Sequence, residues 1–449
     1  MMVHQSLRPV DTPIDFATVR QCIARSNLKP VGRSSIREVV MLVNDIERST
    51  GMKFIRMEMG GPGLPPVQVG VEAEIEALRH GVAGSYPMVE GLPELKREIA
   101  RFAKLFLDID ISPANCIPTA GSVMGSMASF MVANRNDRRR EGTLFLDPGF
   151  PVHKQQCRLL GHDYRSLDVY TCRGKKLEEK LEPILGSGSV SSILYSNPNN
   201  PTWICFTHEE LEIVGRLARK YDVIVIEDLA YFGMDFRKDI SSPGKPPFQP
   251  TVAKYTDHYI LLISSSKAFS YAGQRVGMMI ISEALFNRTY PDLLRYYTSD
   301  SFGHAMIYGA VYSLSAGCAH SAQYGLAAIL DAVNEGKYNF VDAVRAYGQR
   351  ARVLKELFTR YGFTIVYDMD IDQPIADGFY FTVAYPGFTG TQLVEELLYY
   401  GISAISLEIT GSERTEGLRA CVSQIDPDQI PILEQRLTRF REHHPPVQD

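Results

Sequence analysis

The chain has 449 residues, 45% of them hydrophobic and 22% charged, with 47 basic against 52 acidic residues and a formal net charge of -5. This composition is that of a globular protein, and the length predicts two domains. The near-balanced charge gives no field that attracts nucleic acid, and the basic run at 138–140 is expected to be a solvated helix end or loop. No apolar run approaches the roughly 18 residues that cross a bilayer, so no membrane span is expected.

Seven cysteines are scattered along the chain without a C-x-x-C pair. An odd number without metal-ligand spacing predicts free thiols in a reducing compartment, rather than a disulfide framework or a zinc site. The opening stretch MMVHQSLRPVDTPIDF lacks the basic and apolar regions of a secretory signal. The sequence therefore predicts a cytoplasmic protein without a bound metal.

The middle of the chain alternates short apolar runs with helical patterns. The apolar runs are rich in β-branched residues and end in polar ones, which is typical of strands buried on both faces. They lie at 142–147, 191–196, 222–228, 259–264 and 275–282. One helical pattern, 207–221, opens with a capping box of Thr207 and Glu210, and another, 93–107, opens with Pro93. The alternation predicts an α/β domain with a mainly parallel sheet sandwiched by helices.

The C-terminal part of the chain has a different pattern. A helix pattern near 340–361 ends at Gly362 and is followed by short strand and helix patterns, which predict a compact α+β unit. The helix pattern SSIREVVMLVNDIERS precedes the sheet domain and needs a partner for its apolar face, so we assign the first residues to the same unit. The predicted organisation is a large domain at 59–325 and a smaller α+β domain built from both termini, 1–58 and 326–449.

Chemically active side chains follow the predicted strands at their carboxyl ends, where open α/β sheets bind ligands. An aromatic ring, amides, carboxylates, a phenol, hydroxyls and a lysine are expected to converge there. In chain order they are Phe150, Asn197, Asn199, Asn200, Glu227, Asp228, Tyr231, Ser264, Ser265, Ser266 and Lys267. The small-residue turn at 118–127 opens a helix whose free backbone N–H groups favour an anion, and Arg275 is expected to close the same site.

The ordered motifs DPGF, NPNNPT, EDLAY, SSSKAFSYAGQRVG and GLRACVSQ resemble those of the fold type I pyridoxal-phosphate enzymes, specifically the class I/II aminotransferases. The resemblance extends from MGGPGLPP at 59–66 to GLRACVSQ at 417–424. It implies the two-domain fold of that family, pyridoxal 5′-phosphate as cofactor, and a homodimer with shared active sites. The ordered series is more specific than any one motif, and it implies the roles of individual residues.

The resemblance implies that Lys267 holds the cofactor as a Schiff base and moves the α-proton of the substrate. A buried lysine loses proton affinity, which suits both tasks. Ser264 and Arg275 resemble ligands of the cofactor phosphate. Taken alone, a lysine after a strand is more often a solvated surface group, and the spacing to Arg275 together with the upstream motifs decides against that alternative.

Asp228 resembles the carboxylate that pairs with the protonated pyridine nitrogen and keeps the cofactor an electron sink. Tyr231 and Asn200 resemble the donors to the phenolic oxygen of the ring, and Asn200 is also expected to contact the substrate. Singly, Asp228 also suits a helix cap or a turn, and Asn200 suits a turn. Glu227 is the neighbouring alternative to Asp228.

Phe150 resembles the aromatic residue that stacks on the cofactor ring, although a phenylalanine there also suits core packing. Gly121, Ser122 and Val123 resemble the turn that binds the phosphate, for which the alternative is a plain helix start. Tyr86 resembles the tyrosine that reaches the phosphate of the other subunit, which implies a homodimer.

Arg419 resembles the arginine that binds the α-carboxylate of the substrate, a task that suits its planar fork better than a lysine. Arg414 is the alternative. Gly60 matches the glycine beside the substrate in the family, and Gly61 is the alternative register. The implied small-molecule partners are an amino acid and a 2-oxo acid.

Two features depart from the family pattern. Trp203, the only tryptophan of the chain, stands where the family usually has glycine, so this loop must take another course. The sequence leaves open whether its ring shapes a substrate pocket or fills the core. No arginine occurs at 298–308, where dicarboxylate-specific members carry one, so the resemblance does not support aspartate as the preferred substrate.

The implied activity is transamination between an amino acid and a 2-oxo acid. A lyase, decarboxylase or synthase of the same fold is the alternative within the family, because pocket shape decides the fate of the carbanion. From a different class, SSSK satisfies the S-x-x-K motif of serine–lysine acyl hydrolases at Ser264 and Lys267. The K-T-G strand that those hydrolases also need does not occur in the sequence.

Overall fold

The computed structural model describes residues 11–446, and the chain folds into two compact units. The larger unit comprises Leu64–Ala346 and Met369–Ala376, and the smaller one comprises the chain up to Gly63, Tyr347–Asp368 and the chain from Asp377 onward. The smaller unit is thus built from both ends of the chain, as the sequence predicts. The division points at 58 and 325 stay predictions.

Seven strands form one sheet in the larger unit. Gly277–Ile281 pairs antiparallel with the neighbour on each side, and the other neighbours pair in parallel. From one edge to the other, the order is Cys116–Thr119, Gly277–Ile281, Tyr259–Ser264, Ile224–Leu229, Val190–Ser196, Gly142–Asp147 and Tyr164–Asp168. The predicted mainly parallel sheet is confirmed.

The five strands predicted from the sequence are the five inner strands of this sheet. Val190–Ser196, Ile224–Leu229 and Tyr259–Ser264 have every residue buried, and this burial on both faces explains their nearly all-apolar sequences. The carboxyl ends of these three adjacent parallel strands lie on the same edge of the sheet.

The two strands that the sequence patterns do not predict are the edge strands. Tyr164–Asp168 leaves Arg165 and Ser166 exposed, so it lacks an apolar run. Cys116–Thr119 contains Pro118, which cannot donate a hydrogen bond to a neighbour and is tolerated because the strand lies at the edge.

The helices His208–Tyr221 and Pro93–Leu107 of the larger unit begin where the sequence signals predict. Thr207 caps the helix that follows it by accepting a hydrogen bond from the backbone N–H of Glu210, whose carboxylate in turn accepts one from the N–H of Thr207. The helices of ten or more residues are Gln68–Arg79, Pro93–Leu107, Ser122–Ala133, Pro151–Leu160, Lys176–Gly186, His208–Tyr221 and His320–Asn334. Shorter helical segments are Ser265–Ala268, Glu283–Asn287, Phe302–His304, Ala305–Val311, Tyr312–Ser315 and Phe340–Val344.

A short hairpin of Met369–Asp370 and Gln373–Pro374 comes from the C-terminal part of the sequence but belongs to the larger unit. Asp370 is buried, and its carboxylate pairs with Arg173 at 2.9 Å and with Arg237 at 2.8 Å. A buried carboxylate is stable when cations and hydrogen bonds surround it in this way. These ion pairs therefore fix the hairpin on the larger unit.

The smaller unit is an α+β structure. Its four-stranded antiparallel sheet has the order Ile405–Ser406, Leu418–Cys421, Tyr380–Ala384 and Thr364–Ile365. A separate parallel pair joins Ile55–Arg56 to Ile402–Ser403. Its helices are Phe16–Ser26, Ile36–Thr50, Ala346–Arg360, Gly390–Tyr399 and Ile430–His443. The first residue of the third of these, Ala346, is assigned to the larger unit. Within residues 11–446, no helix combines the length and the apolar character needed to cross a membrane.

The helix pattern near 340–361 forms two helices, Phe340–Val344 and Ala346–Arg360. The N–H of Arg345 bonds to the carbonyl three residues before it, and this tighter turn interrupts the α-helical ladder. The second helix ends just before Gly362, whose φ of +91° is a left-handed conformation that glycine adopts without strain. The predicted end of the helix pattern at Gly362 is confirmed, whereas the prediction of one continuous helix over 340–361 is wrong.

Candidate active site

The carboxyl ends of the central strands carry the predicted site residues of the larger unit. Ser196, at the end of its strand, pairs with Asp228 of the next strand, and Asp228 pairs with Leu262. The Leu262 strand ends at Ser264, and Lys267 follows in the short helix Ser265–Ala268. The lysine is half-buried. Strand register therefore brings the predicted carboxylate, hydroxyl and lysine to one edge of the sheet.

Asp228 has the environment of a buried carboxylate that lacks a strong cationic neighbour among the described residues. Its side chain accepts a hydrogen bond from the backbone N–H of Ala230 at 3.1 Å, and it lies 3.9 Å from the imidazole of His153. Burial raises the pKa of Asp228 to about 7. A cation placed against this side chain, such as a protonated pyridine ring, would be stabilised by it.

Glu227 points to different partners from those of Asp228, because successive side chains of a strand face opposite sides of the sheet. Its carboxylate accepts hydrogen bonds from the hydroxyl of Thr251 at 2.6 Å and from the N–H of Val252 at 3.1 Å. Burial raises the pKa of Glu227 to about 7. These contacts give Glu227 a structural role, which supports Asp228 as the cofactor residue.

A cradle for an anion lies at the start of Ser122–Ala133. Gly121 precedes this helix with φ +76° and ψ 160°, a combination that glycine alone adopts readily. A methyl group on Gly121 would collide with the guanidinium of Arg275, and one on Gly277 would lie 3.0 Å from the backbone nitrogen of Ser122. The two glycines thus let Arg275 and the neighbouring strand pack closely against the start of the helix. An arginine beside free backbone N–H groups at a helix N terminus is an arrangement that suits phosphate.

The remaining predicted phosphate ligands lie around the same cradle. Ser264 pairs with Gly277 across two adjacent strands. Since Gly277 packs against the backbone of Ser122, Ser264 lies near the start of the cradle helix. Its hydroxyl accepts a hydrogen bond from the N–H of Ser266 at 3.2 Å, which makes it the cap of the short helix that carries Lys267. Val123 occupies the first turn of the cradle helix, and its backbone N–H is one of those without a partner inside the helix.

Asn200 and Tyr231 are both buried near the end of the neighbouring strands. The backbone N–H of Asn200 bonds to the hydroxyl of Ser196 at 3.1 Å. The ring of Tyr231 packs edge-to-face against Trp203, with 5.3 Å between centroids and 65° between planes. Trp203 is fully buried, so its ring fills the interior and contacts a predicted site residue at the same time.

Phe150 is half-buried and precedes the helix Pro151–Leu160. Its ring stands perpendicular to the ring of His153, with centroids 5.4 Å apart. The sequence motifs do not predict His153 as a site residue, although it lies beside both Phe150 and Asp228. Its spacing of three residues from Phe150, on the first helical turn, is the signal that the sequence offers. Burial lowers the pKa of His153 to about 4, so the imidazole is neutral near pH 7.

Tyr86 lies on the surface of the larger unit with 92% of its side chain exposed. Its exposure contrasts with the burial of Asp228, Asn200 and Tyr231. The family role implied for Tyr86 involves a second subunit, and its exposure is compatible with such a role.

Gly60 and Arg419 belong to the smaller unit, where they form a cluster with Tyr380. A methyl group on Gly60 would collide with the hydroxyl of Tyr380, whereas one on Gly61 would meet the flexible end of the Gln424 side chain at 3.0 Å. The guanidinium of Arg419 lies 4.4 Å from the centre of the Tyr380 ring. Close packing against Tyr380 therefore requires a glycine at position 60 more strictly than at position 61.

Arg419 is only 1% exposed, and one of its terminal nitrogens donates a hydrogen bond to the carbonyl of Glu58 at 2.5 Å. Arg414, by contrast, lies over the ring of Tyr367 at 5.6 Å. The sequence motifs do not predict Tyr380 as a site residue. Its strand pairs with the strand of Arg419, with Thr382 opposite the arginine, and such a pairing cannot be read from the sequence motif alone.

Residues 53–437 match the family model described as aminotransferase class I and II. This match covers most of the chain, and the chain belongs to that family. The serine–lysine acyl hydrolase alternative thereby loses its support.

Known relatives agree with this family. Glutamate-pyruvate aminotransferase AlaC of Escherichia coli K12 is 30% identical over 243 residues, which are 53% of this chain and 56% of the relative. S-alkyl-thiohydroximate lyase SUR1 of Arabidopsis thaliana is 25% identical over 260 residues, 56% of this chain and 54% of the relative. The matches therefore span little more than half the length of these two relatives.

The fold is also shared with solved structures. The aspartate aminotransferase of Thermotoga maritima superposes with a TM-score of 0.71 at 19% sequence identity, covering 94% of this chain and 99% of that one. At this identity the likeness shows the fold alone. It confirms the fold type I α/β architecture that the sequence motifs imply.

The cofactor of this family is pyridoxal 5′-phosphate, and the described residues fit it. The glycine-lined cradle with Arg275 suits its phosphate, and the buried Asp228 suits its protonated ring nitrogen. Lys267 lies on the same edge of the sheet. The three groups match the three chemically distinct parts of the cofactor: phosphate, ring nitrogen and aldehyde.

Proposed function

We propose that the protein is a pyridoxal-phosphate-dependent aminotransferase that moves an amino group from an amino acid to a 2-oxo acid. The observation that carries this proposal is the pairing of a phosphate cradle at Gly121 and Arg275 with the buried carboxylate of Asp228. Both lie in the part of the chain that matches the family.

The bound cofactor would supply an electron sink for the carbanion that an amino acid leaves when it loses its α-proton. Asp228 would keep the ring nitrogen protonated by placing a carboxylate against it. Phe150 would stack on the ring, and Asn200 and Tyr231 would donate hydrogen bonds to the phenolic oxygen. The residues that would hold the phosphate are Gly121, Ser122, Val123, Ser264 and Arg275.

Lys267 has two tasks in this proposal. Its amine would hold the cofactor covalently, and when free the same amine would be placed to take the α-proton from the substrate. Ser264 supports it by capping the short helix in which Lys267 lies. The same amine would then be placed to return that proton, and hydrolysis by a water molecule would release the 2-oxo acid while the amino group stays with the cofactor.

Arg419 is proposed to bind the α-carboxylate of the substrate, with Gly60 and Asn200 as further substrate contacts. Its guanidinium is held by the carbonyl of Glu58 and by the ring of Tyr380. Holding the fork in one orientation reduces the entropy lost when a carboxylate binds to it in a bidentate way.

We further propose a homodimer in which Tyr86 of each subunit reaches the phosphate of the other. Other exposed apolar side chains of the larger unit are Met88, which is 56% exposed, Tyr308 at 47% and Tyr312 at 57%. Tyr308 donates a hydrogen bond to Glu90, which brings it close to the segment that carries Tyr86 and Met88. Exposed patches of this kind mark interaction surfaces.

The compartment proposed for the protein is the cytoplasm. All seven cysteines are buried, and no disulfide joins any two of them, as expected of a chain that folds in a reducing compartment.

Absorbance spectroscopy and peptide mapping test the central proposal. Protein purified with pyridoxal phosphate should show a visible band, and borohydride reduction should fix a pyridoxyl group on Lys267. Adding a panel of amino acids should shift the band for at least one donor, and a 2-oxo acid should restore it. A label on another lysine, or a band that no amino acid shifts, contradicts the proposal. Lys267→Ala is the matched control and should show no fixed label.

A lyase is the second candidate function, because one relative is named S-alkyl-thiohydroximate lyase and matches 56% of this chain. A lyase would release its product from the amino-acid substrate without a 2-oxo acid acceptor. Product formation in the absence of any acceptor, at a rate that an acceptor does not change, would favour this function over transamination.

A further inference from the structure

Trp203 occupies a position that costs backbone strain. Its φ is +68°, in the left-handed region that side chains with a β-carbon rarely adopt. Its side chain is nevertheless fully buried. Glycine would adopt this backbone without strain. A strained backbone at a buried aromatic residue indicates that the ring has a role that offsets the strain.

The ring of Trp203 is the edge-to-face neighbour of Tyr231, at 5.3 Å between centroids. Tyr231 is itself 4% exposed, and it follows the strand that ends with Asp228 and Leu229. Aromatic pairs in this geometry have a preferred mutual orientation. The plane of the tyrosine ring, and with it the direction of its hydroxyl, is therefore set in part by Trp203.

The backbone of Trp203 is fixed to the segment that carries Asn200. The N–H of Trp203 donates to the carbonyl of Asn199 at 2.9 Å, and the N–H of Asn199 donates to the carbonyl of Ile204 at 2.9 Å. The side chain of Asn199 also accepts hydrogen bonds from the N–H and the hydroxyl of Thr202. A ring anchored in this way moves together with Asn200.

We propose that Trp203 is a positioning residue: it orients the hydroxyl of Tyr231 toward the phenolic oxygen of the cofactor and fixes it relative to Asn200. The ring contact and the loop hydrogen bonds carry this inference, which rests on the proposed function because Tyr231 acts on the cofactor only there. Trp203 touches neither substrate nor cofactor in this role and acts through Tyr231.

The single tryptophan gives a first test, which addresses the cofactor alone. All tryptophan emission of the protein comes from Trp203, and titration of the cofactor-free protein with pyridoxal phosphate should quench it while the visible band appears. Trp203→Phe should lack the emission. If neither quenching nor a visible band is seen, the proposed function fails, and this inference is overturned with it.

The second test is a double-mutant cycle on the pH midpoint of the visible band. A donor to the phenolic oxygen stabilises the deprotonated form of the bound cofactor and so lowers this midpoint. Tyr231→Phe should therefore raise the midpoint. Trp203→Leu should also raise the midpoint, but by a smaller amount, and Trp203→Phe should raise it least. In the Tyr231→Phe background, adding Trp203→Leu should cause no further rise of the midpoint.

A matched control separates positioning from general destabilisation. Phe302 is another fully buried aromatic residue of the larger unit, packed on Tyr290 at 5.9 Å, and Phe302→Leu should lower the melting temperature without moving the midpoint. Quenching with an unchanged midpoint in Trp203→Leu overturns the positioning role while leaving the cofactor proposal intact. An equal shift in the presence and absence of the Tyr231 hydroxyl overturns it as well.

Discussion

The Nε2 atom of His153 lies 3.9 Å from Oδ2 of Asp228, and both side chains are buried. Burial lowers the pKa of His153 to about 4 and raises the pKa of Asp228 to about 7. The imidazole is therefore neutral near pH 7 and cannot neutralise the carboxylate. A protonated pyridine ring at this place would lower the pKa of Asp228 and would be stabilised in turn.

The raised pKa of Asp228 predicts a pH dependence of the stability of the cofactor-free protein. The folded state holds a proton on Asp228 up to about pH 7, whereas the unfolded chain loses it near the ordinary value of about 4. The stabilisation is complete below pH 4 and is lost as the pH rises through 7. Between pH 6 and 8, Asp228 should lower the free energy of unfolding by about 1 kcal/mol.

Urea unfolding of the cofactor-free protein at pH 6 and pH 8 measures this difference. Asp228→Asn removes the titrating group, so its stability should fall less between the two pH values than that of the wild type. Glu227, whose pKa is also raised to about 7 by burial, contributes equally to both proteins and cancels in the comparison. An identical pH dependence in the two proteins would show that Asp228 does not titrate in this range.

Gly121→Ala should weaken cofactor binding. The substitution places a methyl group against the guanidinium of Arg275 and forces a backbone conformation that is essentially restricted to glycine. Strain of this kind costs about 1–3 kcal/mol, so the dissociation constant for pyridoxal phosphate should rise by about fivefold or more. Equilibrium titration of the cofactor-free variant, followed by the visible band, measures it.

Gly161→Ala provides the matched control for this prediction. Gly161 also has a positive φ, +70°, but a methyl group there would meet open space. This variant should lose about 1 kcal/mol of stability and retain the wild-type affinity for the cofactor. If both variants bind the cofactor equally well, the cradle at Gly121 is not the phosphate site.

The sequence is sufficient to predict the five inner strands of the sheet and its mainly parallel character. The inner strands are apolar throughout because both faces are covered, whereas the edge strands escape prediction because Arg165 is exposed and Pro118 interrupts the pattern. The hairpin that carries Asp370 is not predicted from the sequence either, because the ion pairs of Asp370 with Arg173 and Arg237 join residues far apart in the chain.

Two residues that contact predicted site residues are not found by the sequence patterns. His153 lies beside Asp228 because a helix turn carries it there, and Tyr380 lies beside Arg419 because their strands pair. Neither contact follows from a motif. For Trp203 the sequence leaves two alternatives open, and burial against Tyr231 makes its ring part of the interior.

Arg419→Lys should raise the KM for the amino-acid substrate while the spectrum of the bound cofactor stays unchanged. Lysine keeps the positive charge but cannot form the bidentate contact with a carboxylate. A charge-assisted hydrogen bond is worth about 1.5–3 kcal/mol, so the KM should rise by about tenfold or more. Arg414→Lys is the control and should leave KM unchanged. A lower kcat without a change in KM would assign Arg419 a role other than substrate binding.

Mixing two inactive variants tests whether active sites are shared between subunits. Lys267→Ala removes the lysine from its own site, and Tyr86→Ala removes the proposed phosphate contact from the site of the partner. In a hybrid dimer, the subunit with the intact Lys267 receives an intact Tyr86 from its neighbour, while the other site carries both defects. Random reassortment of two equal pools should therefore restore about a quarter of the wild-type sites.

The measurement is activity at limiting pyridoxal phosphate, where loss of the Tyr86 contact limits cofactor occupancy. Each variant reassorted with itself is the control and should remain at its own low activity. Met88→Ala, on the same exposed surface, should reassort normally and retain activity when paired with itself. If Tyr86 instead served the site of its own chain, both sites of every hybrid would carry one defect, and mixing would restore nothing.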